Sequence, residues 1–269
     1  MTPIEKRYLG RSGLEVGVVG MGTWKTFDVA GSKLVRDRAR LVSLASEHGM
    51  NLFDSSPMYG RAEQVLGLAV APIRGSVLVA TKVWSNDDRV AATQIDESLT
   101  HFGGRVDLYQ VHNLVSTPTR LQTLQDLRAA GHVRAVGITH WSEDAYEQMS
   151  RYLDLVDAIQ IPYNPHQNKA GETLLNQAAE RDIGVLVMRP FGEGSLLRQS
   201  PGSKALAPLA DFGVTTWSQA LLKWVLSDPR CHVALPATSD PQHLLANLAA
   251  GSPPWFGPKE RDFVADLAR

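Results

Sequence analysis

The chain of 269 residues is 43% hydrophobic, long enough for one sizeable core, and its 27 Lys and Arg against 28 Asp and Glu leave a formal charge of −1. So balanced a composition excludes the single-signed field that gathers nucleic acid or acidic lipid, and points to a small-molecule partner. One cysteine, Cys231, excludes an internal disulfide, and its apolar surroundings suit a small buried hydrophobe.

The amino-terminal stretch MTPIEKRYLGRSG is charged and carries no signal-peptide core, and no apolar run reaches membrane-spanning length. A cytoplasmic protein without a membrane partner is expected. KRYL and LEV flank the turn from Gly10 to Gly13 and predict a β-hairpin. VVGMGT near 18 follows as a strand. Short β-branched runs then begin at 51 (NLFDS), 77 (VLVATKV), 106 (VDLYQVH), 133 (VRAVGIT), 158 (AIQIPY) and 184 (GVLVM), at intervals of 25 to 29 residues, with HVALP at 232 as the last. Between them, Leu121, Leu124 and Leu127 recur at helical spacing before Gly131, and Leu174, Leu175, Ala178 and Ala179 do so before Gly184. Eight strands alternating with helices predict an α/β fold, the (β/α)8 TIM barrel, as one domain over 1–269 with the hairpin closing the bottom. The interval from 184 to 232 is too long for the rhythm, and its excess, RPFGEGSLLRQSPGSK, has the Gly, Ser and Pro content of a functional loop.

Such barrels work at the carboxyl ends of their strands. Asp54 ends the second strand, Tyr59 follows in its loop, Lys82 ends the third and His112 the fourth. Taken singly, each also fits a plain role: a helix cap, a loop aromatic, a solvated strand end, a hydrogen-bonded core histidine. Trp24, Met58, Trp84 and Trp141 stand beside these positions and are candidates for an apolar substrate wall.

Together the segments GRSGLEV, GMGTW, NLFDSSPMYGRAEQVLG, VLVATKVW, VDLYQVHN, GITHW, AIQIPYN and LPATSDPQHLLANLA span nearly the whole chain. In order and spacing they resemble the aldo-keto reductase family. The resemblance implies NAD(P)H-dependent reduction of aldehydes or ketones to alcohols, with Asp54, Tyr59, Lys82 and His112 as the catalytic set. Hydride reaches the carbonyl carbon from a nicotinamide, and charge grows on the oxygen, which then needs a proton and nearby donors. Tyr59 would give the proton. Lys82 would favour the tyrosinate and so strengthen Tyr59 as an acid, Asp54 would hold Lys82 charged, and His112 would hydrogen-bond the carbonyl oxygen.

The dinucleotide fingerprint of doubly wound folds is absent, because Lys25 stands where a third glycine would follow Gly20 and Gly22. By the resemblance, Gly22 and Thr23 close the first strand beside the cofactor, and Thr139, His140 and Gln160 hold the nicotinamide carboxamide. The family's usual Ser-Asn pair is here Thr139-His140. Met188 stands where many members stack an aromatic on the nicotinamide. Arg189, Phe191, Gly192, Gly194 and Ser195 form the loop whose backbone N–H groups would meet the pyrophosphate. Thr238, Ser239, His243 and Asn247 would take the adenosine half. Many members carry a basic residue after the proline and an arginine six positions on, where this chain has Ala237 and His243. NADP(H) is therefore expected to be favoured, with NAD(H) able to compete.

The alternative within the same fold is a nicotinamide-binding regulatory or sensor protein with little turnover. A metal hydrolase is set aside because no HxH or HExxH occurs, and no metal is expected. The partner is expected to be a small carbonyl compound, with no nucleic acid, and the chain a monomer or weak homo-oligomer.

Overall fold

A computed structural model describes residues 3–198 and 200–269. Strand β1 (Lys6–Tyr8) pairs antiparallel with β2 (Glu15–Gly17) around the turn, where Gly10 takes φ +49 and packs onto the backbone of Asp182 and Gly184. Any Cβ there would overlap that backbone, so the turn requires glycine. Period-two alternation puts Leu14 and Val16 on one face, and with Leu9 they are fully buried.

Eight parallel strands follow in spatial order: β3 (Met21–Gly22), β4 (Leu52–Asp54), β5 (Leu78–Val83), β6 (Val106–His112), β7 (Val133–Thr139), β8 (Ala158–Pro162), β9 (Gly184–Met188) and β10 (Val233–Ala234). The sheet closes on itself where Val19 bridges Ala234 and where the Gly20 and Gly22 N–H groups donate to the carbonyls of Ala234 and Pro236 at 2.9 and 3.0 Å. The expected (β/α)8 barrel is thus the observed fold. Its two closing strands are shorter than the sequence suggests, since isolated contacts carry much of the seam.

The helices are α1 (Ser32–Glu47), α2 (Ala62–Val70), α3 (Asp88–His101), α4 (Thr117–Ala129), α5 (Tyr146–Ser150), α6 (Leu174–Glu180), α7 (Ser195–Arg198), α8 (Trp217–Leu226), α9 (Pro241–Ala249) and α10 (Pro258–Ala268). None of the described helices is long and apolar enough to cross a membrane. Local sequence sets several of their ends. Asp87 caps α3 by accepting the Arg89 and Val90 N–H groups, and Thr216 with Gln219 forms a capping box on α8.

The barrel interior is built in layers. Leu52, Ala80, Leu108, Ala135, Ala158, Leu186 and Val233 form an apolar floor against Leu9, Leu14 and Val16 of the hairpin, which plugs the bottom. Each such burial of a leucine or valine contributes about 1.5–3 kcal/mol. Side chains two residues further along each strand face the same interior one layer up, which places Asp54, Lys82, Gln110 and Gln160 above that floor. Gly137 leaves room for this layer, because a Cβ there would meet Ala158 O at 2.8 Å and Gln110 Cγ at 3.0 Å.

Outside the barrel wall, Glu63 of α2 is 5% exposed and accepts hydrogen bonds from the hydroxyls of Thr81 on β5 and Ser98 on α3. Burial raises its carboxyl to about 7, with the two hydroxyls, then Lys82, opposing the shift and Glu97 adding to it. A carboxyl raised on folding binds its proton more tightly in the native state. Its favourable contribution is full below the ordinary glutamate range and fades as pH rises through 7. A shift of that size corresponds to roughly 3 kcal/mol. Glu63→Gln keeps an acceptor oxygen and removes the titration, so thermal unfolding of the variant should depend less on pH between about 4.5 and 7 than that of the parent. Equal slopes for the two proteins would contradict this.

Candidate active site

The second interior layer rises into a cavity of about 570 Å³ at the carboxyl ends of the strands. At its base Lys82, 1% exposed, spends its three protons on Asp54 Oδ1, Asp54 Oδ2 and the Ser55 carbonyl, each at 2.7 Å. Burial alone would lower this ammonium, but Asp54 and Tyr59 outweigh it and the lysine stays above its usual range. Asp54 also accepts from Gln160 Nε2 at 3.2 Å and Gln110 Nε2 at 3.4 Å, while Gln110 donates to Gln160 Oε1 at 2.9 Å. The buried ion pair is therefore enclosed by amides that satisfy its remaining lone pairs.

Tyr59 overhangs this pair. Its N–H donates to Ser56 O at 3.0 Å, and the next residue, Gly60, takes φ +63 against the Asp28 carboxylate, where a Cβ would come within 2.5 Å. Asp28 in turn accepts the Arg61 N–H at 3.0 Å, so this loop is fixed from both sides. The Tyr59 ring lies 5.5 Å from Lys82 Nζ and meets the His112 ring edge-on at 6.0 Å. Burial raises the Tyr59 hydroxyl above the ordinary tyrosine range, and Lys82 pulls it down without cancelling that rise. The pull of Lys82 toward the tyrosinate has the expected direction, and burial together with Asp54 decides the net rise. Asp54 neutralises much of the ammonium field at 2.7 Å, and its own charge pushes Tyr59 upward.

His112 closes the set. Burial, then Lys82 and His140, push its imidazole down to about 2, so the ring is neutral. Ser56 Oγ lies 3.0 Å from its Nδ1.

Asp54, Tyr59, Lys82 and His112 all line the one cavity. A family model described as the aldo/keto reductase family matches residues 18–255. The chain belongs to the aldo-keto reductases. Among curated proteins it is 27% identical to an uncharacterized oxidoreductase of Mycobacterium tuberculosis, over 98% of this chain and 93% of the relative. It is also 27% identical to 6-dehydroglucose reductase of Novosphingobium aromaticivorans, over 83% and 82%. An aldo/keto reductase from Klebsiella pneumoniae, solved with NADP and acetate, superposes with a TM-score of 0.83 at 21% identity, covering 98% of this chain and 95% of that one. The holo form of an aldo-keto reductase from Bacillus halodurans gives 0.80 at 21% identity, over 99% and 97%. At such identities the structural likeness is one of fold.

In this aldo-keto reductase the cavity also takes in Gly22, Thr23, Thr139, Gln160, Met188, Arg189, Phe191 and Gly194. Thr139 Oγ1 and Gln110 Oε1 are buried without hydrogen-bond partners among the described residues, and Thr139 lines the cavity. Gly192 and Ser195 form the turn behind that wall, where Ser195 Oγ donates to Gly192 O at 2.6 Å. Thr238, Ser239, His243 and Asn247 lie beyond the cavity wall, which ends at Ala237, on the entry to α9 and along it. Asp240 caps that helix through the Gln242 N–H at 2.7 Å. His140 is outside the wall as well, stacked on Trp141 at 5.9 Å.

Of the proposed apolar wall, Trp24, Met58 and Trp141 line the cavity, but Trp84 does not. Gln94 holds the Trp84 backbone at both N–H and carbonyl, which aims the strand end toward α3. Four cavity residues other than glycine take positive φ: Lys25, Asn113, Arg189 and Glu193. Backbone strain of this kind collects at ligand sites. Gln110, Ser56, Glu193 and Leu197 were missed by motif matching. For Gln110 the signal was available, because Leu108, Gln110 and His112 alternate along one strand and must share the inner face. The other three depend on loop conformation.

Proposed function

We propose that this aldo-keto reductase reversibly reduces aldehydes or ketones to alcohols with a nicotinamide cofactor, Tyr59 serving as general acid. The observation that carries the reading is the buried Lys82–Asp54 pair beneath Tyr59 and His112 at the base of one apolar-rimmed cavity. The unpartnered Thr139 hydroxyl beside Gln160 suits a carboxamide, so the residues present fit such a cofactor. When bound, a reduced nicotinamide supplies the hydride. Thr139, Gln160 and Met188 would hold its ring end, the turn from Arg189 to Ser195 would offer N–H groups and a cation to its pyrophosphate, and Thr238, Ser239, His243 and Asn247 would take the adenosine.

Within the chain the work is division of a proton. The neutral His112 ring hydrogen-bonds the carbonyl oxygen and orients it, and Tyr59 donates to that oxygen as its negative charge grows. Lys82 stabilises the tyrosinate left behind, and Asp54 keeps Lys82 charged and in place. Trp24, Met58 and Trp141 exclude water from the reacting centre. The reading is tested by following oxidation of NADPH and NADH with a panel of aldehydes, ketones and sugars. Cofactor binding without turnover of any carbonyl would instead identify a nicotinamide-dependent sensor.

Cofactor choice follows from the adenosine end. A 2′-phosphate is rewarded by charge-assisted contacts, each roughly 1.5–3 kcal/mol, and Ala237 supplies none. NADPH is expected to lead NADH by no more than about two orders of magnitude in kcat/KM, with Ala237→Lys widening the gap. Titration by tryptophan quenching checks it. A lead beyond about a thousandfold would show that other cations grip the phosphate.

A further inference from the structure

We propose that Ser56 is a positioning residue that fixes the proton of His112 on Nε2, keeping that nitrogen a donor toward the cavity. The inference deepens the proposed carbonyl reduction and rests on that reading for its functional consequence. Ser56 is fully buried, two residues beyond Asp54, and its Oγ sits 3.0 Å from His112 Nδ1. The same oxygen accepts the Met58 N–H at 3.4 Å. A serine hydroxyl has one hydrogen to give and two lone pairs. With the Met58 N–H aimed at the oxygen, the hydroxyl hydrogen needs an acceptor, and His112 Nδ1 is the one in reach among the described residues.

The opposite arrangement, with Nδ1–H donating to Ser56, would leave a buried hydroxyl hydrogen without an acceptor. It would also leave Nε2 bare, a lone pair facing the place where a carbonyl oxygen carries growing negative charge. Burial next to Lys82 keeps the ring neutral, so one nitrogen holds the single proton and the other accepts. Two consequences follow. Nε2–H orients the carbonyl, and it does not surrender its proton, because that would leave an imidazolate. The proton that completes reduction is then left to Tyr59.

Ring-nitrogen chemical shifts of the 15N-labelled full-length protein read the tautomer directly, with the His112 signals assigned by their loss in His112→Gln. The parent should show a bare Nδ1 and a protonated Nε2, and Ser56→Ala should mix the two tautomers. The alanine variant should also lose about tenfold in kcat with cofactor affinity unchanged, and Ser56→Thr, which retains the hydroxyl, should recover both readouts. A protonated Nδ1 in the parent overturns the proposal, as does an unaltered His112 pattern in Ser56→Ala. The spectrum reports whether or not any carbonyl is turned over, so absence of turnover with the expected tautomer counts against the proposed reduction and leaves the Ser56 assignment standing.

Discussion

Tyr59→Phe is expected to lower kcat for carbonyl reduction by about 10²–10⁴-fold, the usual contribution of a positioned general acid. The ring packs against Lys82 and His112, and phenylalanine retains that shape, so only the hydroxyl is lost. Cofactor affinity should not change, which separates loss of the acid from collapse of the site. Near-normal turnover would sink the mechanism. The parent's own acidity also has a direction: because burial raises the Tyr59 hydroxyl, it stays protonated through neutral pH and reduction should persist into alkaline solution. Rate should fall only as that raised group finally loses its proton.

Lys82→Met should damage stability and activity together, for different reasons. Removing the ammonium leaves Asp54 buried with only the weaker amide donors of Gln110 and Gln160, and breaking a buried pair in this way costs about 3–5 kcal/mol. The tyrosinate loses its nearest cation, so the alkaline limb of the rate profile should move to still higher pH as the rate drops. Pairing the change with Asp54→Asn removes the stranded charge. Denaturant unfolding of the double variant should recover most of the lost stability while turnover stays low. A single variant as stable and as active as the parent would show that Lys82 is neither buried partner nor electrostatic support.

The barrel was legible because it is periodic. Recurrence of β-branched runs every 25 to 29 residues is a one-dimensional signal, and Gly10 and Gly13 marked the hairpin by chain chemistry alone. Asp54, Lys82 and His112 were visible as polar residues ending apolar strands, and strand direction dictates that such ends share a face. Trp84 shows where proximity in sequence failed. It follows Lys82 by two residues, yet Gln94 redirects the chain there and the indole leaves the cavity wall.

What the sequence determined by itself was the order of elements and which residues face inward, since both follow from local periodicity. Tertiary structure decided the electrostatics. Charges interact through space at distances the chain order does not encode, so the net upward shift of Tyr59, the neutral state of His112 and the raised Glu63 appear only once Asp54, Lys82 and their buried surroundings are assembled. The Ser56–His112 contact joins residues 56 positions apart, and the parallel pairing of β4, β5 and β6 is what brings them within 3.0 Å.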